Sequence, residues 1–257
     1  MPQSEKVPTG FQELDLALTG GFETGSTVAL VSDPTSMKDA FLHQFIYNSL
    51  KEEHTVVYLC LVRTPAETAG ILLKKFPPIE EFIKRKSLVF VNFLAEPFVE
   101  QAGLDMAVSE FFGERLTFQK ASEFAVKDTK NLLDISLTIK KAIASTGRPN
   151  RAIVITESVT DEFLSIDLQL ALRFDRSIEA ALKNLGVNLL FYVVLKGIRD
   201  EFILPFEQHA DYVLEIQTME QQGGLSDYIR VKKSKDFVTT PWQKMVNAMG
   251  LIKLVRV

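Results

Sequence analysis

The chain has 257 residues, 46% of them apolar and 24% charged, which is the composition of a globular protein with a sizeable core and excludes a disordered or fibrous chain. Its formal net charge of −4 removes any overall attraction to nucleic acid or to an anionic membrane, and the single cysteine, Cys60, excludes an intramolecular disulfide. No apolar run is long enough to span a bilayer and the opening MPQSEKVPTG lacks a signal-peptide core, so a cytoplasmic protein is expected.

In chain order, short and almost wholly apolar runs at 27–31, 55–61, 88–93, 152–156 and 187–195 read as strands buried on both faces of a mostly parallel sheet. Cys60 lies inside the second run and reads as a small core residue. Helical patterns fall between the strands at 40–51, 65–75, 127–145 and 163–185. In the last, Leu164, Leu168, Ala171, Leu172, Ile178, Leu182 and Leu185 recur at three and four residues, and Gly186 supplies the stop. The β-α-β-α order predicts a three-layer α/β fold with a mostly parallel central sheet flanked by helices. Beyond it, 212–217, 228–233 and 251–257 alternate in part and read as antiparallel strands at the C-terminal edge of the sheet. The stretch 94–127 carries no readable pattern, and no linker or repeat divides the chain, so one domain over 1–257 is expected.

The stretch Ser32, Asp33, Pro34, Thr35, Ser36, Met37, Lys38, Asp39 lies between the first strand and an amphipathic helix. That is the layout of a phosphate-binding loop, G-x-x-x-x-G-K-[ST], yet of its four defining positions only Lys38 is kept. Glycine before the lysine lets backbone N–H groups turn toward phosphate, and a left-handed Met37 costs roughly 1–2 kcal/mol. An aspartate about 6 Å from a phosphate charge is repelled by about 3 kcal/mol at an effective dielectric near 20. An ordinary strand-to-helix turn suits the same residues equally well.

Upstream, Thr9, Gly10, Leu14, Asp15, Leu18, Gly20, Gly21, Gly25 and Ser26 match the pattern TG-x-x-x-LD-x-x-L-x-GG-x-x-x-GS. This closely resembles the opening of KaiC-type domains of the RecA-like ATPases, and weaker similarity returns at 45–51, 152–160, 210–215 and 230–235. The resemblance implies a RecA-like fold, ATP with magnesium at the loop, an acid ending the strand at 152–156, and a glutamate pair after the second strand as general base. Glu157 fills the place of the acid, whereas Val62 and Arg63 stand where the glutamates belong. The resemblance also implies a late basic pair reaching a neighbouring subunit, for which Lys233 and Lys235 are the nearest match.

Together these features point to a RecA-like relative that does not hydrolyse ATP. No catalytic residue is assigned, no cofactor is expected beyond weak ATP and magnesium, and no metal site is indicated by three dispersed histidines. The resemblance implies assembly by strand addition at a sheet edge, so the expected partner is a protein or peptide at a free edge, with a homo-oligomer open. The alternatives are a nucleotide sensor that binds ATP weakly without turnover through Lys38, Asp39 and Glu157, an active KaiC-like signalling ATPase with Glu67 as its late glutamate, or a recombinase-like accessory of single-stranded DNA. The negative charge and the lack of an aromatic-interleaved basic segment argue against DNA.

Overall fold

The computed structural model describes residues 5–94, 124–159, 167–197, 200–221, 224–236 and 239–256. Helices among these residues are α1 (Gln12–Ala17), α2 (Lys38–Lys51), α3 (Pro65–Lys75), α4 (Ile79–Lys84), α5 (Leu132–Ser145), α6 (Leu168–Asn184) and α7 (Ile203–His209). Strands β1 (Lys6–Val7) and β2 (Phe22–Glu23) form a small separate pair.

The main sheet has ten strands: β3 (Ser26–Ser32), β4 (Thr55–Cys60), β5 (Leu88–Asn92), β6 (Phe124–Ala125), β7 (Ala152–Thr156), β8 (Leu189–Leu195), β9 (Tyr212–Gln221), β10 (Gly224–Lys233), β11 (Gln243–Ala248) and β12 (Leu251–Arg256). Their spatial order is β12-β11-β10-β9-β3-β8-β7-β4-β5-β6. From β9 to β6 the pairings are parallel, and the last three strands add in antiparallel fashion beyond β9. The expected architecture, a mostly parallel sheet with antiparallel strands at the C-terminal edge, is the one observed.

Alternation along the buried strands splits the core in two. Val28, Leu30, Val56, Tyr58 and Phe191 face one way, with Phe41, Phe45 and Leu72 of α2 and α3; Ala29, Val31, Val57, Leu59 and Tyr192 face the other, with Ile139, Ile178 and Phe206 of α5, α6 and α7. Both faces of the parallel sheet are therefore covered, which is why its strands read as continuous apolar runs. Cys60 is buried in the first cluster, and burial pushes its thiol well above the ordinary range.

The helix over 65–75 is observed with those bounds, started by a capping box between Thr64 and Glu67. The helix expected over 163–185 begins at Leu168, capped by the Asp167 side chain, which accepts the N–H groups of Gln169 and Leu170. Leu164 lies outside the described residues, as does most of 94–127. Three short helices, α1, α4 and α7, and the strand β11 go unannounced in the sequence, because six- and seven-residue elements carry too little periodicity. No helix among the described residues is long and apolar enough to cross a membrane.

Candidate functional site

The opening motif is first of all architectural. The Asp15 carboxylate accepts the Thr9 N–H and hydroxyl, both at 2.7 Å, and the Gly10 N–H at 3.0 Å, so it locks the turn that precedes α1. Gly21 has φ +123°, and a Cβ there would stand 2.3 Å from the Val7 carbonyl oxygen. These residues set the entry into β3 and hence the position of the loop.

The loop leaves the carboxyl end of β3, the usual side for ligands in an open α/β sheet. Ser32 is the last, fully buried residue of the strand, Pro34 and Thr35 are exposed in a turn, and Met37 is the N-cap of α2. Ser36 folds back, its N–H and hydroxyl reaching the Asp33 carbonyl at 3.2 and 2.7 Å. Met37 has φ −71° and ψ 23°, and no residue of 32–39 has a positive φ. The strain a left-handed Met37 would carry is avoided, and the loop is an ordinary turn rather than a concave nest of N–H groups.

One carboxylate from elsewhere in the chain occupies a backbone donor of the loop. The Met37 N–H donates to Asp227 Oδ2 at 2.7 Å, and Thr218 donates its hydroxyl to Asp227 Oδ1 at 2.6 Å. Asp33 Oδ2 accepts the Thr218 N–H at 2.8 Å, and Lys196 Nζ stands 3.7 Å from its other oxygen. The pairing of Asp227 opposite Thr218 in the β9–β10 ladder delivers both groups to the loop. Lys196 also meets Glu215 at 3.1 Å, and Arg230 reaches the other Glu215 oxygen at 2.7 Å while lying over the Trp242 ring. Burial alone would raise the Glu215 carboxyl, but hydrogen bonds and charge from Arg230 and Lys196 hold it below its ordinary value.

A second cluster forms around Arg63, just beyond β4. Its guanidinium reaches Asp39 at 2.8 Å and Glu157 at 3.2 Å, and Asp39 pairs with Lys38 at 2.6 Å. Glu157, at the end of β7 and 5% exposed, also accepts the backbone N–H groups of Leu61, Val62 and Arg63 at 3.0, 2.9 and 3.4 Å. Burial would raise the Asp39 carboxyl, yet Lys38 and Arg63 outweigh it and hold it low. The same mutual field raises Arg63 against its own desolvation. Nearby His43 is pushed down to about 4, by burial first, and by the positive charges of Lys75, Arg63 and Lys38 against the opposing pull of Asp39, so it is neutral at pH 7.

The structure thus brings Lys38, Asp39 and Glu157 together and adds Arg63, Asp227, Thr218, Lys196 and Glu215. Lys233 and Lys235 lie elsewhere. Lys233 donates to the carbonyls of Glu207, Gln208 and Ala210 at 2.6–3.1 Å, closing the end of α7, and Lys235 pairs with Glu23 at 3.2 Å. Glu67, the late glutamate of the alternative reading, is held in the capping box, its Oε2 accepting the Thr64 N–H and hydroxyl at 2.9 Å.

This donor set does not fit a magnesium–triphosphate. The Met37 N–H is taken, Asp39 and Glu157 are each paired to Arg63, and four cations (Lys38, Arg63, Lys196, Arg230) already face five carboxylates (Asp33, Asp39, Glu157, Glu215, Asp227). No group of three or more metal-ligating side chains occurs among the described residues.

Residues 6–77 match the model of a family of unknown function, DUF7125. A UPF0273 protein of Thermotoga maritima is 22% identical over 232 residues, covering 90% of this chain and 87% of the relative. A UPF0273 protein of Aeropyrum pernix is also 22% identical, over 222 residues, covering 86% and 81%. Among solved structures, a KaiC-like protein of Pyrococcus horikoshii superposes with a TM-score of 0.68 at 17% identity, covering 98% of this chain and 100% of that one. An uncharacterized protein of the same archaeon, in complex with an unknown peptide, gives 0.73 at 13% identity with the same coverage. The fold is that of the KaiC-like proteins, the RecA-like α/β architecture that the opening motif implied.

Proposed function

We propose that this protein is a RecA-fold regulator or scaffold that works by binding a protein or peptide and does not hydrolyse ATP. One observation carries the reading: the Asp227 carboxylate accepts the Met37 N–H, at the helix start where a triphosphate needs its donors. The loop is held by the chain's own anion, and the space between Asp39 and Glu157 by the chain's own guanidinium. It therefore keeps its shape without a ligand.

Magnitudes favour this state. A nucleotide has to break the Asp227–Met37 bond and then meet Asp33 and Asp227, each opposing a phosphate charge by about 3 kcal/mol at about 6 Å and an effective dielectric near 20. Each such term is about two decades in affinity. Beyond β4, where a general base would orient water, Arg63 is a cation. Binding then falls to the surface. The outer side of β12 is an unpaired sheet edge among the described residues, and the peptide recorded with the Pyrococcus neighbour supports peptide recognition on this fold.

Phosphate release measured on the purified chain beside Lys38→Ala tests the reading. It expects no release above buffer and no difference between the two proteins. Turnover that disappears in Lys38→Ala overturns it.

A further inference from the structure

The inner face of α6 carries two carboxylates. Asp175 and Glu179 lie four residues apart and are buried on one side of the helix with Ala171, Ile178 and Leu182, each carboxylate residue being 5% exposed. Glu179 is well matched. It accepts the Thr27 hydroxyl of β3 at 2.6 Å, pairs with Lys183 at 2.6 Å and meets His209 Nε2, at the end of α7, at 2.5 Å. Asp175 has no such set. It accepts a hydrogen bond from Tyr192 of β8, a neutral phenol, and the cation that acts on it, Arg176, stands exposed on α6 itself. The elements α5, β4 and β7 bring Ile139, Leu59, Val154 and Thr156 against it, none of them charged.

These residues enclose a cavity of about 10 Å³, room for one water, onto which Asp175, Thr156 and Tyr192 bring polar groups. An ionised Asp175 is here a buried charge with no buried cation against it and with the Glu179 charge one turn away, whereas the protonated carboxyl is neutral. Burial accordingly pushes the group up to about 7, the Glu179 charge adding to the rise and Tyr192 and Arg176 opposing it. One water does not hydrate a carboxylate, so ionisation has to admit solvent, and α6 is the side that yields. β8 is held between β3 and β7 by ladders on both edges, while α6 lies outside the sheet and is held by its side chains. The bonds of Glu179 to Thr27 and His209 fasten the helix one turn further on, which leaves its earlier turns as the movable part.

We propose that Asp175 is a proton-operated latch between α6 and the sheet: with the carboxyl protonated α6 is closed on β8, and with the proton lost the turns of α6 ahead of Glu179 open to solvent. The latch uses none of the residues of the loop after β3 or of the Arg63 cluster, so it operates whether or not a nucleotide binds.

Hydrogen exchange of the full chain tests it, followed by mass spectrometry at pH 6 and 8 with labelling times corrected for the intrinsic amide rate, beside Asp175→Asn and Tyr192→Phe. A one-proton equilibrium centred near pH 7 predicts about tenfold loss of protection over residues 168–175 between the two pH values, with α2 unchanged. Asp175→Asn, uncharged at either pH, is expected to hold its protection level. Tyr192→Phe removes the hydrogen bond that favours the anion, so the loss is expected to move to higher pH. Level protection over 168–175 in the parent, an equal loss in α2, or a loss that persists in Asp175→Asn overturns the proposal. Tyr192→Phe keeps the carboxyl and decides the matter if Asp175→Asn fails to fold, because a loss that stays at the parent's pH also overturns it.

Discussion

Asp227 and Met37 are 190 positions apart, yet the carboxylate of one accepts the backbone N–H of the other at 2.7 Å at the start of α2. The bond ties the antiparallel extension of the sheet to the loop after β3. Thr218 completes the tie, holding Asp227 through its hydroxyl and Asp33 through its N–H.

Removing the loop's negative charges should open it to phosphate. In the variant Asp33→Asn/Asp227→Asn both side chains keep hydrogen-bonding oxygens but no longer repel an anion. Relief of about 3 kcal/mol per charge pair favours the nucleotide, and weakening the charge-assisted bond that it has to break, worth about 1.5–3 kcal/mol to stability, favours it further. The expected outcome is ATP affinity raised at least tenfold over the parent, with a lower melting temperature, both read by titration and melting of the same samples. Trp242, the chain's single tryptophan, lies under Arg230 and reports changes in this cluster by fluorescence.

Arg63→Met leaves Glu157 buried without its guanidinium and Asp39 with Lys38 alone. Breaking a fully buried pair costs about 3–5 kcal/mol; here Arg63 and Asp39 are each about one-third exposed, so solvent screening reduces the expected loss to about 2 kcal/mol. The loss depends on pH. The Asp39 carboxyl is held below its ordinary value in the fold, so its contribution is present above about pH 4 and is lost as pH falls through the depressed value. Urea unfolding should show the variant approaching the parent in stability at acid pH and falling behind it at pH 7.

Asp175 predicts the opposite slope. It is buried in α6 beside a water-sized cavity of about 10 Å³ lined by Leu59, Ile139, Val154 and Leu190. Burial raises its carboxyl from 3.8 to about 7; the Tyr192 hydrogen bond opposes the rise, the Glu179 charge adds to it and Arg176 opposes it. The folded value lies above the unfolded one, so its contribution is full below about pH 4 and is lost as pH rises through about 7. Asp175→Asn should flatten the fall in melting temperature between pH 5 and 8 that the parent shows.

Gln44→Leu frees the edge groups of Ile252 without removing bulk from α2. Two backbone groups lose their partner, at a cost of about 1–3 kcal/mol each where buried. The protein should melt earlier than the parent, read by thermal melting of the two side by side.

Much of the fold was legible because its sheet is parallel and covered on both faces. The strand at 152–156 and the helix at 65–75 keep their expected bounds, since one is an unbroken apolar run and the other starts at a proline behind a capping threonine. At the site, the loop itself and Glu157 were visible from local pattern, and Arg63 was visible as the residue where a glutamate was due. Asp227 was not, because it reads as one polar residue in an alternating strand, and only the β9–β10 register carries it to Met37. The Lys233 ammonium closes α7 of its own chain, a contact that depends on tertiary packing rather than on local sequence.

Calorimetric titration of the purified chain with ATP and magnesium, beside Lys38→Ala, tests the central claim most directly. A loop satisfied by Asp227 and a cluster satisfied by Arg63 predict no heat of binding up to millimolar ATP for either protein. Micromolar binding that is lost in Lys38→Ala would contradict the account, because it would mean that the loop releases Asp227 and cradles phosphate.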